Sequence, residues 1–132
     1  MTGSQIVLWV IIAIIVGYFV KRYLKIRSIN QYTPAEAAAK MKNNLNVVFL
    51  DVRTKQERNS GAIKGSLHFS LQELRFKISE LEKYKGKEII CYCRSGNRSL
   101  AAAALLKKHG FSAASLRGGI GSWNLYTSQS RG

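Results

Sequence analysis

The segment Cys93-Arg94-Ser95-Gly96-Asn97-Arg98-Ser99 gathers the groups on this chain best suited to chemistry. Cys93 ends the apolar run Glu88–Cys93 (EIICYC), which reads as a buried strand, and Asn97 opens an Ala/Leu-rich stretch that reads as a helix to about His109. A thiol in that place meets the positive end of a helix dipole and a run of backbone N–H groups. Arg94 and Arg98 add two cations, and all three features favour thiolate over thiol, the form a nucleophile requires. Gly96 lets the loop curl so that successive N–H groups turn inward, a nest suited to an anion. A buried structural cysteine before an ordinary strand–helix turn is the competing reading. The Arg-Ser-Gly-Asn-Arg-Ser run that follows argues for the nucleophile.

Other candidates are weaker. Cys91 lies two residues before Cys93, so on a strand both side chains share a face, and C-x-C is not the redox spacing C-x-x-C. It reads as a core residue. Asp51 and Arg53 end the preceding strand near the same rim and read as a structural ion pair. His68 reads as packed or wet rather than as a base, and His109 as a favourable charge at a helix C-terminus. No His/Cys/Asp set has metal spacing and no phosphate-binding Gly-rich motif occurs, so no metal and no cofactor are expected.

The elements that must position the loop alternate. Ser28–Tyr32 is a short extended segment, and Thr33-Pro34-Ala35-Glu36 is a capping box opening a helix to about Asn43. Asn46–Val52, bounded by Asn44 and Arg53, reads as a buried strand, then a polar loop with Gly61 and Gly65, then a short strand over Leu67–Phe69. Ser70 and Glu73 make a second capping box for one helix with Leu71, Leu74, Ile78 and Leu81 on its apolar face. After the turn Lys85-Gly86-Lys87 come the Glu88–Cys93 strand, the Asn97–His109 helix stopped by Gly110, and a last strand over Ala114–Leu116. A turn at Gly118-Gly119 and a short helix near Trp123 close the pattern, leaving residues 127–132 as a polar, frayed tail. Strands separated by short helices predict an α/β fold, a parallel sheet flanked by helices on both faces, over residues 28–126.

Residues 1–27 read as a membrane anchor with a basic juxtamembrane segment. Ile6–Val20 holds fifteen residues without a charge, and extension to Gln5–Leu24 gives twenty. Twenty helical residues span about 30 Å, the thickness of a bilayer core, if Lys21 and Arg22 snorkel to the headgroups. A cleaved signal peptide would want positive charge before the run and small residues after it, and neither is present. A core helix or an interfacial amphipathic helix would show a polar stripe, and this segment shows none. Lys21, Arg22, Lys25 and Arg27 all follow the run, so one transmembrane helix is expected, N-terminus outside and the rest of the chain cytoplasmic.

The 132 residues are 46% hydrophobic, which excludes a disordered chain, and two cysteines exclude a disulfide scaffold. The net charge is +14, and residues 33–132 alone hold 17 Lys+Arg against 7 Asp+Glu. Anionic lipid headgroups are an expected partner. Nucleic acid is not, because the basic residues are scattered and no binding motif accompanies them.

Cys93–Ser99 resembles the active-site loop of single-domain rhodanese-like sulfurtransferases. Leu50–Arg53 with Glu57 and Gly61 is similar to that family's D-V-R-x-x-x-E-x-x-x-G segment, and Ile63-x-Gly65 with Leu71 to its H-I-P-G-A…P-L stretch. Leu116-Arg117-Gly118-Gly119 with Trp123 is similar to its L-x-G-G-x-x-x-W. The likeness covers roughly residues 28–125, departing at Arg58, Ala62 and Lys64, where the family commonly has an aromatic, His and Pro. It implies a rhodanese-like fold and a Cys93 persulfide as sulfur carrier, with residues 94–99 binding substrate and persulfide and Asp51, Arg53 and Glu57 in support. Thiosulfate or a persulfide would be the donor, cyanide or a thiol the acceptor, and a membrane protein a further partner. Arg98 would either hold the anionic donor or pair with Glu57 or Asp51 and brace the loop. Cysteine phosphatases and arsenate reductases of related architecture use C-x5-R around a phosphate; here Arg98 gives C-x4-R, and the loop lacks an acid for a leaving group. A membrane-tethered sulfur-relay or binding module with little turnover is the second expectation.

Overall fold

The computed structural model describes residues 2–43 and 46–130 of the chain. Five strands, β1 (Asn30–Tyr32), β2 (Val47–Asp51), β3 (Leu67–His68), β4 (Glu88–Tyr92) and β5 (Ser112–Leu116), pair in parallel in the order β1-β5-β4-β2-β3. Around them lie α1 (Gly3–Arg27), α2 (Pro34–Asn43), α3 (Lys55–Asn59), α4 (Leu71–Leu74), a 3-10 helix (Ile78–Tyr84), α5 (Asn97–Lys108) and α6 (Gly119–Ser130).

Period-two alternation divides the strand side chains between two cores. Leu50, Ile89, Cys91 and Cys93 face α4, the 3-10 helix and α5, meeting Leu74, Leu81, Ala102, Ala103 and Leu106. Phe49, Ile90, Tyr92 and Leu116 face α2 and α6, meeting Ala37, Ile120 and Trp123. Leu74 and Leu81 are fully buried, each contributing roughly 1.5–3 kcal/mol from apolar area removed from water. The expected parallel sheet with helices on both faces is the fold observed.

Three local expectations are corrected. The polar segment after Arg53 contains α3, capped reciprocally by Thr54 and Glu57: the Glu57 N–H donates to Thr54 Oγ1 at 3.2 Å and the Thr54 N–H to Glu57 Oε1 at 3.3 Å. The single helix expected from Ser70 is two pieces. Between Leu74 and Ile78 the side chains give no core anchor, with Phe76 left 75% exposed, and the Phe76 and Lys77 N–H groups bond three residues back to Glu73 and Leu74. Finally, Thr127–Ser130, expected in a frayed tail, continue α6, while Asn44, Arg131 and Gly132 lie outside the described residues.

α1 runs 25 residues, about 37 Å at helical rise. Gly3–Lys25 is long and apolar enough to cross a membrane, and none of that stretch is buried against the rest of the chain.

Candidate active site

The chain leaves β2 toward β3 on one side and leaves β4 toward β5 on the other. The crevice between the carboxyl ends of β2 and β4 is therefore the switch point where an open parallel sheet binds ligands. Cys93 directly follows β4 there, and Val52 follows β2, its N–H donating to the Tyr92 carbonyl at 3.0 Å.

The loop wraps the sulfur. The Gly96 N–H donates to Cys93 Sγ at 3.0 Å, and Sγ lies 3.5 Å from the hydroxyl of Ser99, which is fully buried in the first turn of α5. Burial pushes the Cys93 thiol up, but hydrogen bonds from Ser99, Gly96 and Ser95 outweigh it and hold the thiol below its ordinary range. Gly96 permits this curl with a φ of +115°, in the region side chains avoid. Beneath it, the Gly118-Gly119 turn presses on the loop from the end of β5. Gly119 has φ +63°, and a Cβ there would collide with the Cys93 carbonyl and Arg94 backbone, while the Ile120 N–H donates to that same carbonyl at 2.9 Å. The second glycine of the pair is thus part of the loop's floor.

Ser99 links Cys93 to a residue not singled out from sequence. Its hydroxyl reaches the Gly96 carbonyl at 3.0 Å and the Ser115 hydroxyl at 2.7 Å, with Ser115 1% exposed in β5. A hydroxyl has one proton. With that proton on the Gly96 carbonyl, Ser115 and the Cys93 thiol are the donors; on ionisation, the Ser99 proton is free to turn toward sulfur. No short-range sequence signal marks Ser115, which only the β4–β5 pairing brings beside Ser99.

The cations separate. Arg98 grips Glu57 with both ends of its guanidinium, Nη1 to Oε1 at 2.6 Å and Nη2 to Oε2 at 2.8 Å. It braces the loop against α3, and its charge is largely met by the carboxylate. Arg94, Ser95 and Asn97 are exposed. Hydrogen bonds of Ser99 and of the Gly96 and Ser95 N–H groups lead the pull toward thiolate, and Arg98, although paired with Glu57, still adds a favourable charge interaction with Cys93. A cavity of about 280 Å³ opens beside Arg98, walled by Val52, Thr54, Lys55, Ser70, Leu71 and Gln72. Cys93, 1% exposed, lies behind the loop.

The Glu57–Arg98 pair makes a pH prediction. Hydrogen bonds from Arg98 above all, against a smaller opposing effect of burial and helped by Thr54, hold the Glu57 carboxyl down to about 2 from an ordinary 4.5. The folded value is the lower one, so the stabilisation is complete above the unfolded value and is lost as pH falls toward the folded one. The stability gap between the native chain and Glu57→Gln, measured by urea unfolding, should shrink steadily from about pH 5 to about pH 2. A constant gap would mean that the pair contributes nothing through charge.

Behind the loop sits a buried network centred on Asp51. Arg53 donates to Asp51 through Nε (3.0 Å) and Nη2 (2.9 Å), Arg58 through Nη1 (3.2 Å), and Tyr92 through its hydroxyl (3.2 Å). Burial pushes the Asp51 carboxyl up, yet Arg53 and Tyr92 outweigh it and keep the group ionised below the usual carboxylate range. Arg58 also holds Ser66, through its hydroxyl (3.1 Å) and carbonyl (2.8 Å), so this departure from the family's aromatic is a second cation on the same anion. His68 Nε2 donates to the Arg53 carbonyl at 2.8 Å. Ala62 and Lys64 are exposed. Cys91 is fully buried, which drives its thiol far above the ordinary range. Sequence reasoning missed Tyr92 and Arg58 as members; for α3, the Thr-x-x-Glu spacing of Thr54 and Glu57 was the available signal.

Comparison with known proteins agrees with this geometry. A family model described as the rhodanese-like domain matches residues 33–126. A sulfurtransferase of Allochromatium vinosum is 30% identical over 96 residues, 72% of this chain and 88% of that one. A tRNA uridine(34) hydroxylase of Cytophaga hutchinsonii is 38% identical over 91 residues, covering 66% of this chain while the chain spans only 29% of the relative's length. The crystal structure of a rhodanese-related protein from Thermoplasma volcanium superposes with a TM-score of 0.67 at 32% identity, over 74% of this chain and 92% of that one.

Proposed function

The chain belongs to the rhodanese-like family, and from that premise we propose that it moves sulfane sulfur from thiosulfate or a persulfide donor to a thiophilic acceptor through Cys93. The carrying observation is the Cys93 sulfur itself, which accepts the Gly96 N–H at the N-terminus of α5 and is held toward thiolate. The thiolate attacks the outer sulfur of thiosulfate. A new S–S bond forms, the old one breaks, and sulfite leaves with the bonding pair. The loop now holds Cys93–S–S⁻, an anion suited to the N–H groups and helix end that surround it. Cyanide, or a thiolate in its place, then takes the outer sulfur and returns Cys93 to thiolate, a two-step covalent cycle. Exposed Arg94 and the cavity-lining Lys55 offer positive charge to the incoming dianion.

In the same reading α1 crosses a membrane with its N-terminus outside and the sheet domain on the cytoplasmic side, because every basic residue flanking the apolar run follows it. The donor or acceptor then works at that surface.

The intact full chain, reduced and treated with thiosulfate, should gain one sulfur atom by mass and lose it to cyanide. Labelling by a persulfide donor but not by thiosulfate would change the donor class. Labelling by neither would favour a tethered binding module, a reading supported by the near-complete burial of Cys93 behind its loop.

A further inference from the structure

We propose that the groove between α1 and α5 binds the phosphate headgroup of an anionic phospholipid. The inference rests on α1 spanning a bilayer. One wall is Tyr18, Lys21, Arg22 and Lys25, spaced as one helical face; the other is Ala101, Ala104, Leu105 and Lys108, with the same spacing on α5. Together they enclose a volume of about 540 Å³.

Charge selects the occupant. Four cations line this groove and no carboxylate does. Among the described residues, every recorded ion pair lies elsewhere on the chain, so these cations are unmatched. Orientation in the membrane and the helix dipole account for Lys21, Arg22 and Lys25. They do not account for a fourth cation brought opposite by α5. The two walls are also tied together, since Lys107 Nζ donates to the Ser28 carbonyl just past α1 at 3.4 Å.

Height and lining fit a lipid better than a free anion. The groove runs from Tyr18, within the apolar run, to Lys25, the end of the membrane-length stretch Gly3–Lys25, which places its cationic end at headgroup level. Tyr18, Ala101, Ala104 and Leu105 give an apolar surface beside the cations. Such a lining suits the glycerol and first methylenes of an amphiphile whose phosphate meets the ammonium and guanidinium groups.

The test uses the full chain in nanodiscs of phosphatidylcholine with a minor share of phosphatidylglycerol, read by native mass spectrometry of lipid retained on release. One phosphatidylglycerol should stay with the native chain. Lys108→Gln should lower that retention about fivefold, whereas Lys42→Gln, an equal charge change at an exposed position of α2, should leave it intact. Equal loss in both variants, equal retention of the two lipids, or displacement by inorganic phosphate at the concentration of the lipid would each overturn the groove. A chain that alkali strips from native membranes would overturn the anchor and the groove together. One that resists alkali yet retains no phosphatidylglycerol would overturn the groove alone.

Discussion

Cys93→Ser should abolish the cyanide-labile sulfur adduct and lower sulfane-sulfur turnover by at least about 10³-fold. Serine keeps the shape of the site, and the Gly96 N–H and Ser99 hydroxyl that contact Sγ remain in place. What is lost is ionisation. Those donors hold a thiol below its ordinary range despite burial, but an alcohol starts far above it and forms no persulfide. Cys91 offers no substitute, because complete burial drives its thiol the other way. Thiocyanate release and intact mass, measured on Cys93→Ser beside Cys91→Ser, check the assignment. Only the first variant should lose the adduct; an adduct surviving in Cys93→Ser would place the carrier elsewhere. In the native chain the rate of sulfur uptake should rise with pH through a midpoint below that of a free thiol, reflecting the thiolate fraction.

Asp51→Ala should be strongly destabilising, costing about 3–5 kcal/mol and lowering the melting temperature by at least about 10 °C. Asp51 is fully buried, and Arg53 is only 5% exposed. Removing the carboxylate leaves the Arg53 guanidinium with the Glu57 and Gly61 carbonyls (3.3 and 2.6 Å) and no counter-charge within the core. It also deprives Arg58 and Tyr92 of an acceptor. Asp51→Asn keeps a hydrogen-bonding oxygen and should cost less, since the backbone N–H of Arg53 (2.9 Å) retains a partner. Urea unfolding of the three chains measures the series. A loss below about 1 kcal/mol for Asp51→Ala would mean that the arginines find solvent instead, as surface pairs do. Because this network lies under the switch-point crevice, part of its effect should reach the loop as lowered sulfur uptake in the folded fraction.

These two effects differ in how much of their basis could be read along the chain. Cys93 was legible because its surroundings are local: a strand end, a glycine and a helix start lie within seven consecutive residues, and both the dipole and the N–H nest follow from that order. The apolar runs Asn46–Val52 and Glu88–Cys93, separated by helical stretches, likewise announced a buried parallel sheet, since run length and composition are properties of short windows. The apolar run of α1 was legible for the same reason. The breaks were not. Where core anchors thin out around Phe76 a helix loosens, and that depends on what the fold presents opposite it.

The partners of the site belong to tertiary structure. Arg98 and Glu57 stand 41 residues apart, as do Tyr92 and Asp51, and Ser99 meets Ser115 only because β4 and β5 pair. Sequence allowed Arg98 either a substrate or a carboxylate, and only the placement of α3 beside the loop put Glu57 within its reach. Lys108 is silent on paper and becomes a groove wall when α5 packs near α1. Periodicity and turn chemistry act over a few residues and so survive in a linear text. Which charge meets which is decided by the closure of loops dozens of residues long, and that is settled only when the whole core packs.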